Sequence, residues 1–349
     1  MSALARKHLA EIAYFDGETD LVLLHTLQSL NEAERTGSVA ETVAGFAALS
    51  IGLETAGLRR FADGYSRRAR AAAAAGDNPP DIAFAALVAL VLHAGRADWS
   101  VARTAGVEAA DLYKDLGADG RWQQTMATLV HADLAREGPP RSSPFHAELD
   151  AAADIRTSAQ IRVWSLWAHL LTAMRGAERP DTDQLNALIA LLDHPKLNEA
   201  DRLGALSIAA LAQLRCSDRE GARATVARAL DLAERRPPAA WHVASALDAL
   251  TVAAALTDPG TPVAIQRLQR ARTIAARLAR TLPVARPTLH FAKAMHDSAQ
   301  GKAGRARLQF ARSRAVSLQN AQTRSADLLH ATLSALEISP ELWPDEQKR

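Results

Sequence analysis

Hydrophobic residues recur every three to four positions through almost the whole chain, which is the spacing of one face of an α-helix. The two-residue alternation of a half-buried β-strand is almost absent. Glycine, proline and aspartate interrupt the helical pattern, as at Gly76 to Pro80 and at Asp258-Pro259-Gly260. The segments between interruptions mostly run 14 to 20 residues, an ordinary helix length. The pattern therefore predicts an all-α fold.

Several of these helices share a second pattern of small residues. The second helix of a tetratricopeptide unit needs a small residue where it crosses the first helix, and another seven positions later. An apolar or small residue stands between them at plus four, and all three positions lie on one helix face. The pattern occurs at Ala62, Ser66, Ala69; Ala102, Gly106, Ala109; Ala222, Val226, Ala229; Ala264, Leu268, Ala271; and Ala306, Phe310, Ser313.

The first residues of these triplets are regularly spaced. Ala62 and Ala102 lie 40 residues apart, and Ala222, Ala264 and Ala306 follow one another at 42. The interval from Ala102 to Ala222 is 120 residues, or three periods of 40. Two degenerate second helices are therefore expected near positions 145 and 184, in segments 146–154 and 184–192. One 40-residue period before Ala62 lies Val22, within the predicted helical segment 21–34.

This phasing predicts a right-handed α-solenoid of about eight tetratricopeptide-like helix pairs. Its period of 40 to 42 residues is longer than the usual 34 of such repeats. A final helix over 321–336 is expected to cap the last pair. We expect residues 1–338 to form one domain, because each unit of a solenoid packs only on its neighbours, with a tail over 339–349.

Several stretches resemble the C-terminal helical-repeat region of large bacterial regulators that carry an adenylate cyclase domain and an AAA-type ATPase domain. They are Leu21 to Arg35, Trp99 with Ala102, Leu116-Gly117, Arg121-Trp122, Arg162-Val163-Trp164 and Gly301 to Arg314. The resemblance covers roughly residues 1 to 335 and rests on helix-packing motifs. It implies a tetratricopeptide-like architecture and a bacterial protein with a regulatory role connected to a cyclase or ATPase regulator.

The catalytic parts of those regulators have no counterpart in this sequence. A phosphate-binding Gly-x4-Gly-Lys-Ser/Thr loop is absent, and so is a β-rich cyclase segment with metal-binding carboxylates. The resemblance thus implies the repeat half of such a regulator, as an excised domain or as a stand-alone paralogue.

Composition and charge restrict the classes of binding partner that the sequence favours. Lysine plus arginine number 41 against 39 acidic residues, a formal charge of +2, and only six of the basic residues are lysines. A nucleic-acid-binding protein usually carries a larger, segregated positive excess. Arginine clusters occur at 59–70, 267–280 and 305–314. We expect them to form a solvated convex face, with an acidic partner as the next interpretation and RNA as the third.

The sequence predicts a cytoplasmic protein. Cys216 is the single cysteine, which fits a reducing compartment and excludes an intramolecular disulfide. Residues 1–15 lack the apolar core of a signal peptide, and the longest apolar run, Ile82 to Leu92, is too short to span a bilayer.

Catalytic signatures are absent. There is no Gly-x-Ser-x-Gly elbow, His-Glu-x-x-His or Asp-Asp-x-x-Asp motif. His290 and His296 are six residues apart and so point in different directions on a helix. Cys216 lies just before the predicted N-cap Ser217-Asp218, and we interpret it as a small residue of an inter-helix turn. The acidic residues Asp16, Glu18 and Asp20 fit a solvated turn and a helix N-terminus. We therefore expect no enzymatic activity, cofactor or metal.

A candidate binding surface lies on the first helices, which line the concave groove of such arrays. It comprises Trp122, Gln123, Arg162, Trp164, Trp241, His242, Arg286 and His290. Mixtures of aromatic residues and arginine are frequent in binding hot spots. Core packing is the competing interpretation for each tryptophan, and Trp164 and Trp167 cannot both face the groove.

The leading functional hypothesis is a non-enzymatic scaffold or sensor that binds a protein or peptide in this groove. The alternative is an enzyme or small-molecule receptor with a pocket inside the superhelix. Exposed tryptophan and arginine along an open groove would favour the first. Buried carboxylates and histidines around a closed cavity would favour the second. The oligomeric state and the ligand are left open.

Overall fold

The computed structural model describes residues 3–15, 18–136, 143–152, 158–176, 178–322 and 325–336, and these residues form an all-α fold. The predicted tail over 339–349 lies outside them. The helices are α1 (Ala3–Phe15), α2 (Thr19–Thr36), α3 (Val39–Thr55), α4 (Arg59–Gly76), α5 (Pro79–Arg96), α6 (Trp99–Asp115), α7 (Asp119–Ala135), α8 (Pro144–Ala152), α9 (Ala159–Arg175), α10 (Thr182–Leu191), α11 (Glu199–Arg215), α12 (Arg219–Arg235), α13 (Val243–Leu256), α14 (Pro262–Thr281), α15 (Arg286–Ala299), α16 (Ala303–Gln319) and α17 (Ser325–Ala335). A short 3₁₀ turn, Pro283–Ala285, precedes α15.

The even-numbered helices α2 to α16 contain the phased positions. Val22 lies in α2, and the five small-residue triplets lie in α4, α6, α12, α14 and α16. The two degenerate segments coincide with α8 and α10, although residues 153 and 154 of the first fall outside the described part of the chain. The triplets face inward, since the first and last residue of each is buried.

The odd-numbered helices form an inner layer. Each packs on the next odd-numbered helix from α1 to α17, as well as on its even-numbered neighbours in sequence. Helices α11 and α13 are buried along most of their length. The main hydrophobic core therefore follows this inner layer.

The final helix begins later than its predicted start at 321. Ala321 has a φ of +47°, a left-handed conformation that ends the preceding helix. The side-chain amide of Gln322 donates to Val284 O at 2.9 Å, so this turn is anchored to the 3₁₀ segment. Helix α17 then starts at Ser325 and packs on α9, α13, α15 and α16.

Two of the three arginine clusters contribute ion pairs between successive outer helices. Arg70 of α4 donates to Glu108 of α6 at 2.9 Å, and Arg270 of α14 donates to Asp231 and Glu234 of α12. Arg267 pairs with Asp258 at 2.6 Å. Part of the face expected to be solvated thus consists of ion pairs between neighbouring units, each of which contributes little alone.

Three further contacts join residues that are very distant in sequence. Arg236 pairs with Glu18, the Arg59 guanidinium donates to Thr281 O, and Trp99 Nε1 donates to Asn320 O at 2.7 Å. The sequence separations are 218, 222 and 221 residues. Each contact therefore joins two parts of the chain about 220 residues apart, which is about five and a half 40-residue periods.

Candidate functional site

A cavity of about 120 Å³ lies among the inner helices and is called here the central cavity. Helices α1, α2, α3, α5, α7 and α9 line it, together with the turn that precedes α13. Most of its lining is apolar, with Val22, Ile51, Leu87, Val88 and Val91 among the contributors. An engineered apolar cavity of about 150 Å³ holds a benzene molecule, so this space suits a ring-sized apolar group.

One side of the central cavity carries two cations. Lys7 Nζ lies 3.8 Å from the centre of the Phe84 ring, and the Arg121 guanidinium lies 5.9 Å from the same centre. Arg121 also pairs with Glu11 at 3.6 Å. Burial, and then the charge of Arg121, lowers the pKa of Lys7. Within the described residues no carboxylate forms an ion pair with Lys7, so its charge is available to a ligand.

A second, more polar depression adjoins these cations. Lys7, Phe84 and Arg121 line both cavities, while Asp81 and Tyr113 line only the second. The two cations and the ring are therefore shared by the apolar central cavity and the more polar depression beside it.

Trp164, Trp241 and His242 also line the central cavity and are called here its aromatic wall. Their exposed fractions are only 3 to 4%. Trp164 and His242 have ring centres 4.8 Å apart, and Trp241 meets His242 edge-on at 6.0 Å. Tyr14 also lines the cavity, and burial together with the charge of Asp201 raises the pKa of its hydroxyl.

A buried carboxylate holds this aromatic wall in place. Asp201 is fully buried, and its Oδ1 accepts hydrogen bonds from Trp164 Nε1 at 2.6 Å and His242 Nε2 at 3.0 Å. Its Oδ2 accepts from Gln160 at 2.8 Å and from the Asn198 amide. The indole and amide N–H groups can only donate, so the carboxylate accepts at both oxygens and His242 carries its proton on Nε2.

His131 packs behind this wall. Its ring lies 4.7 Å from Trp167 and 5.4 Å from Trp164, centre to centre. Burial, and then the nearby His242, lowers the pKa of His131 well below its usual value. The ring is therefore neutral at pH 7 and behaves as a packing element.

The eight predicted site residues do not form one surface. Trp164, Trp241 and His242 are brought together, but in the buried wall of the central cavity. Arg162 and Arg286 are exposed, while Trp122, Gln123 and His290 are half-buried outside the cavity lining. Trp164 packs against the His131 and His242 rings, and Trp241 packs against Trp99 and His242, so both indoles are buried.

Several residues that line or support the central cavity belong to no recognisable sequence motif. Asp201, Lys7 and Arg121 are not among the predicted site residues. Asp201 contacts Trp164 and His242, which lie 37 and 41 residues away in sequence, so no local pattern indicates its role. Arg96, Arg136, Arg175 and Arg215 recur at intervals of 39 to 40 residues, at the ends of successive inner helices. Arg215 donates to Met174 O and Arg175 to Leu134 O, which caps the preceding inner helix. This spacing is visible in the sequence alone.

Comparison with protein-family models and with curated proteins found no match. None of the described helices combines the length and the apolar character needed to cross a membrane.

Proposed function

We propose that this chain is a tetratricopeptide-like α-solenoid that acts as a receptor for a small anionic molecule in the central cavity. The solenoid interpretation is supported by the alternation of inner and outer helices at the period of the small-residue triplets. The handedness and the count of eight pairs with a capping helix belong to the same proposal.

The observation that carries the receptor proposal is the combination of a mainly apolar cavity lining with two cations at the Phe84 ring. The apolar walls of the cavity accept a ring, and Lys7 and Arg121 offer charge to an acid. Among the described lining residues Glu11 is the only carboxylate, so the lining has one net positive charge. A compact aromatic carboxylate complements both features.

A binding role is favoured over catalysis by the environment of His242. Its Nε2 is held by Asp201, and the rings of Trp164, Trp241 and His131 pack around its imidazole. No serine or cysteine occurs among the described lining residues, so the histidine has no thiol or serine hydroxyl to activate there. A regulatory role in the bacterial cytoplasm, connected to a cyclase or ATPase regulator, is part of the proposal and rests on the sequence resemblance.

Calorimetric titration with phenylacetate, compared with benzyl alcohol, tests the receptor. We expect saturable binding of the acid and binding weaker by a factor of about 10 to 100 for the alcohol, because a charged hydrogen bond contributes about 1.5–3 kcal/mol. Lys7→Gln is expected to remove this preference. Val88→Phe, which fills the apolar part, is expected to weaken both ligands.

Lys302→Gln is the matched control, since this lysine is exposed and distant in sequence from the cavity residues. It should leave both affinities unchanged. Equal binding of acid and alcohol, or an acid affinity that Lys7→Gln does not alter, would contradict the assignment of Lys7 as the anion partner.

The peptide-binding hypothesis retains one supporting observation. Arg162 and Arg286 are exposed, and neither guanidinium has a hydrogen bond or ion pair to another described residue. An acidic peptide or protein surface is therefore the second candidate ligand. A pull-down in which Arg162→Ala retains the same partners as the unmodified chain would exclude Arg162 from such a surface.

A further inference from the structure

Three side chains of metal-ligating types converge between α8 and α9, and none of them lines the central cavity. His146 and Asp150 lie one turn apart on α8, and His169 projects from α9. One potential ligand atom of each lies within 4.8 Å of those of the other two. The sequence predicted no metal site, because His169 is separated from the other two by the connection between the helices.

The three side chains are already in mutual contact. His169 Nε2 lies 2.8 Å from Asp150 Oδ2, and the two imidazole rings stack with centres 3.8 Å apart. His146 Nε2 lies 3.9 Å from Asp150 Oδ1, which is beyond hydrogen-bond distance. Both rings therefore present nitrogen atoms to the same carboxylate.

His146 supplies the observation that points to a ligand. The residue is only 5% exposed, and its buried Nε2 has no hydrogen-bond partner. Buried polar atoms in folded proteins are almost always paired, so an unpaired imidazole nitrogen beside a carboxylate and a second imidazole calls for an explanation. A bound cation would supply the missing partner.

A neighbouring hydroxyl orients the carboxylate. Ser165 Oγ donates to Asp150 Oδ1 at 2.7 Å. This hydrogen bond holds one carboxylate oxygen and leaves Oδ2 turned toward His169. Hydrogen bonds of this kind commonly fix the carboxylate ligands of metal sites.

We propose that His146, Asp150 and His169 bind a divalent transition-metal ion of the zinc type. Two imidazoles and one carboxylate are a donor set that zinc accepts, with water at the remaining position. The ligand atoms of a tetrahedral zinc ion lie about 3.4 Å apart. Side-chain rotations that move the ligand atoms by roughly 1 Å would bring the three groups to that spacing. None of the three residues lines the central cavity, so the metal site is independent of the proposed receptor function.

The test uses the full chain after treatment with a chelator. Titration with Zn²⁺ is expected to show one saturable site per chain, and Co²⁺ is expected to give the visible absorption of a four- or five-coordinate ion. His169→Gln and Asp150→Asn are each expected to weaken Zn²⁺ binding by at least about 10-fold, and His146→Ala by more. His169 is partly exposed, so its variant is the less disruptive of the two histidine changes.

His330→Ala is the control, since this histidine is exposed on α17. It should bind Zn²⁺ and Co²⁺ as the unmodified chain does, and circular dichroism should show unchanged helix content in every variant. Absence of a saturable Zn²⁺ site, or binding in a folded His169→Gln variant equal to that of the unmodified chain, would overturn the proposal.

Discussion

Two buried aspartates of the inner layer differ in how they are paired. Asp201 accepts hydrogen bonds from four side chains, which compensates the desolvation of its charge. Asp248 of α13 has one buried oxygen without a partner. Burial raises its pKa to about 7, against weaker opposing effects of Ser325, Thr288 and Arg175. The ionisation of Asp248 therefore couples the stability of the protein to pH.

Asp248→Asn is expected to change the pH dependence of stability. The folded protein keeps a proton on Asp248 up to about pH 7, whereas the unfolded chain releases it near pH 4. The stabilisation is present in full below pH 4 and is lost as the pH rises to 7. Urea unfolding should thus show the unmodified protein losing about 3 kcal/mol relative to the variant between pH 5 and pH 8.

The low pKa of His131 acts in the opposite direction below pH 6.5, but it is common to both proteins and cancels in the comparison. Asp193→Asn is a suitable control, because Asp193 is largely exposed beside Arg228. A constant difference between the two proteins from pH 5 to pH 8 would show that Asp248 is ionised in the folded state.

At the scale of helices, close approach depends on residues without side-chain bulk. A Cβ atom on Gly204 of α11 would lie 2.1 Å from the Trp167 ring of α9. A Cβ atom on Gly106 of α6 would lie 2.5 Å from Leu129 of α7. By contrast, nothing lies within 4 Å of a Cβ atom on Gly64 of α4. The first two glycines permit helix packing, and the third only costs helix stability.

Gly204→Ala and Gly64→Ala are therefore expected to have opposite effects on the free energy of unfolding. Gly204→Ala forces a fully buried indole to move and should destabilise the protein by about 1–3 kcal/mol or more. Gly64→Ala should stabilise it by up to about 1 kcal/mol, because alanine favours the helix interior. Chemical unfolding of both variants measures this, and a neutral Gly204→Ala would mean that α9 and α11 adjust without strain.

Helix ends are joined by the repeated arginines. Arg215 is 6% exposed and reaches the carbonyl oxygens of Met174 and Glu178, where the end of α9 carries partial negative charge. The Arg96 guanidinium of α5 donates a hydrogen bond to the Glu54 carboxylate at the end of α3. The same residue type at the same phase therefore links successive inner helices.

At the scale of the whole molecule, the contacts across 218 to 222 residues distinguish this chain from a one-dimensional array. In a simple solenoid each unit contacts only its neighbours and stability spreads along the chain. Here α4, α6 and the turn before α2 each contact a segment in the C-terminal half. Unfolding of the two ends is thereby coupled.

Trp99→Phe tests this coupling. The change keeps an aromatic ring beside Trp241 but removes the N–H that donates to Asn320 O. We expect a loss of about 1 kcal/mol in stability and faster amide exchange near the junction of α16 and α17. Tyr113→Phe, elsewhere on α6, provides a comparison. Unchanged amide exchange at that junction in Trp99→Phe would show that this hydrogen bond does not couple α6 to the C-terminal helices.

The sequence by itself determined the helical segments and their phase. Small residues such as Ala102, Ala222 and Ala264 are required where two helices adjacent in sequence pack closely. That requirement depends on neighbours in sequence, so periodicity alone revealed it. The recurring Arg96, Arg175 and Arg215 carried the same kind of information.

Only the tertiary structure decided which surfaces are buried and which side chains meet. Trp164 and Trp241 became the wall of a cavity because the inner helices close around it, and Lys7 and Arg121 meet at Phe84 from three different helices. His146 and His169 likewise converge across a helix connection. These side chains lie about 20 to 110 residues apart in sequence and belong to different helices. Their meeting depends on how the helices pack in three dimensions, which no local sequence pattern encodes.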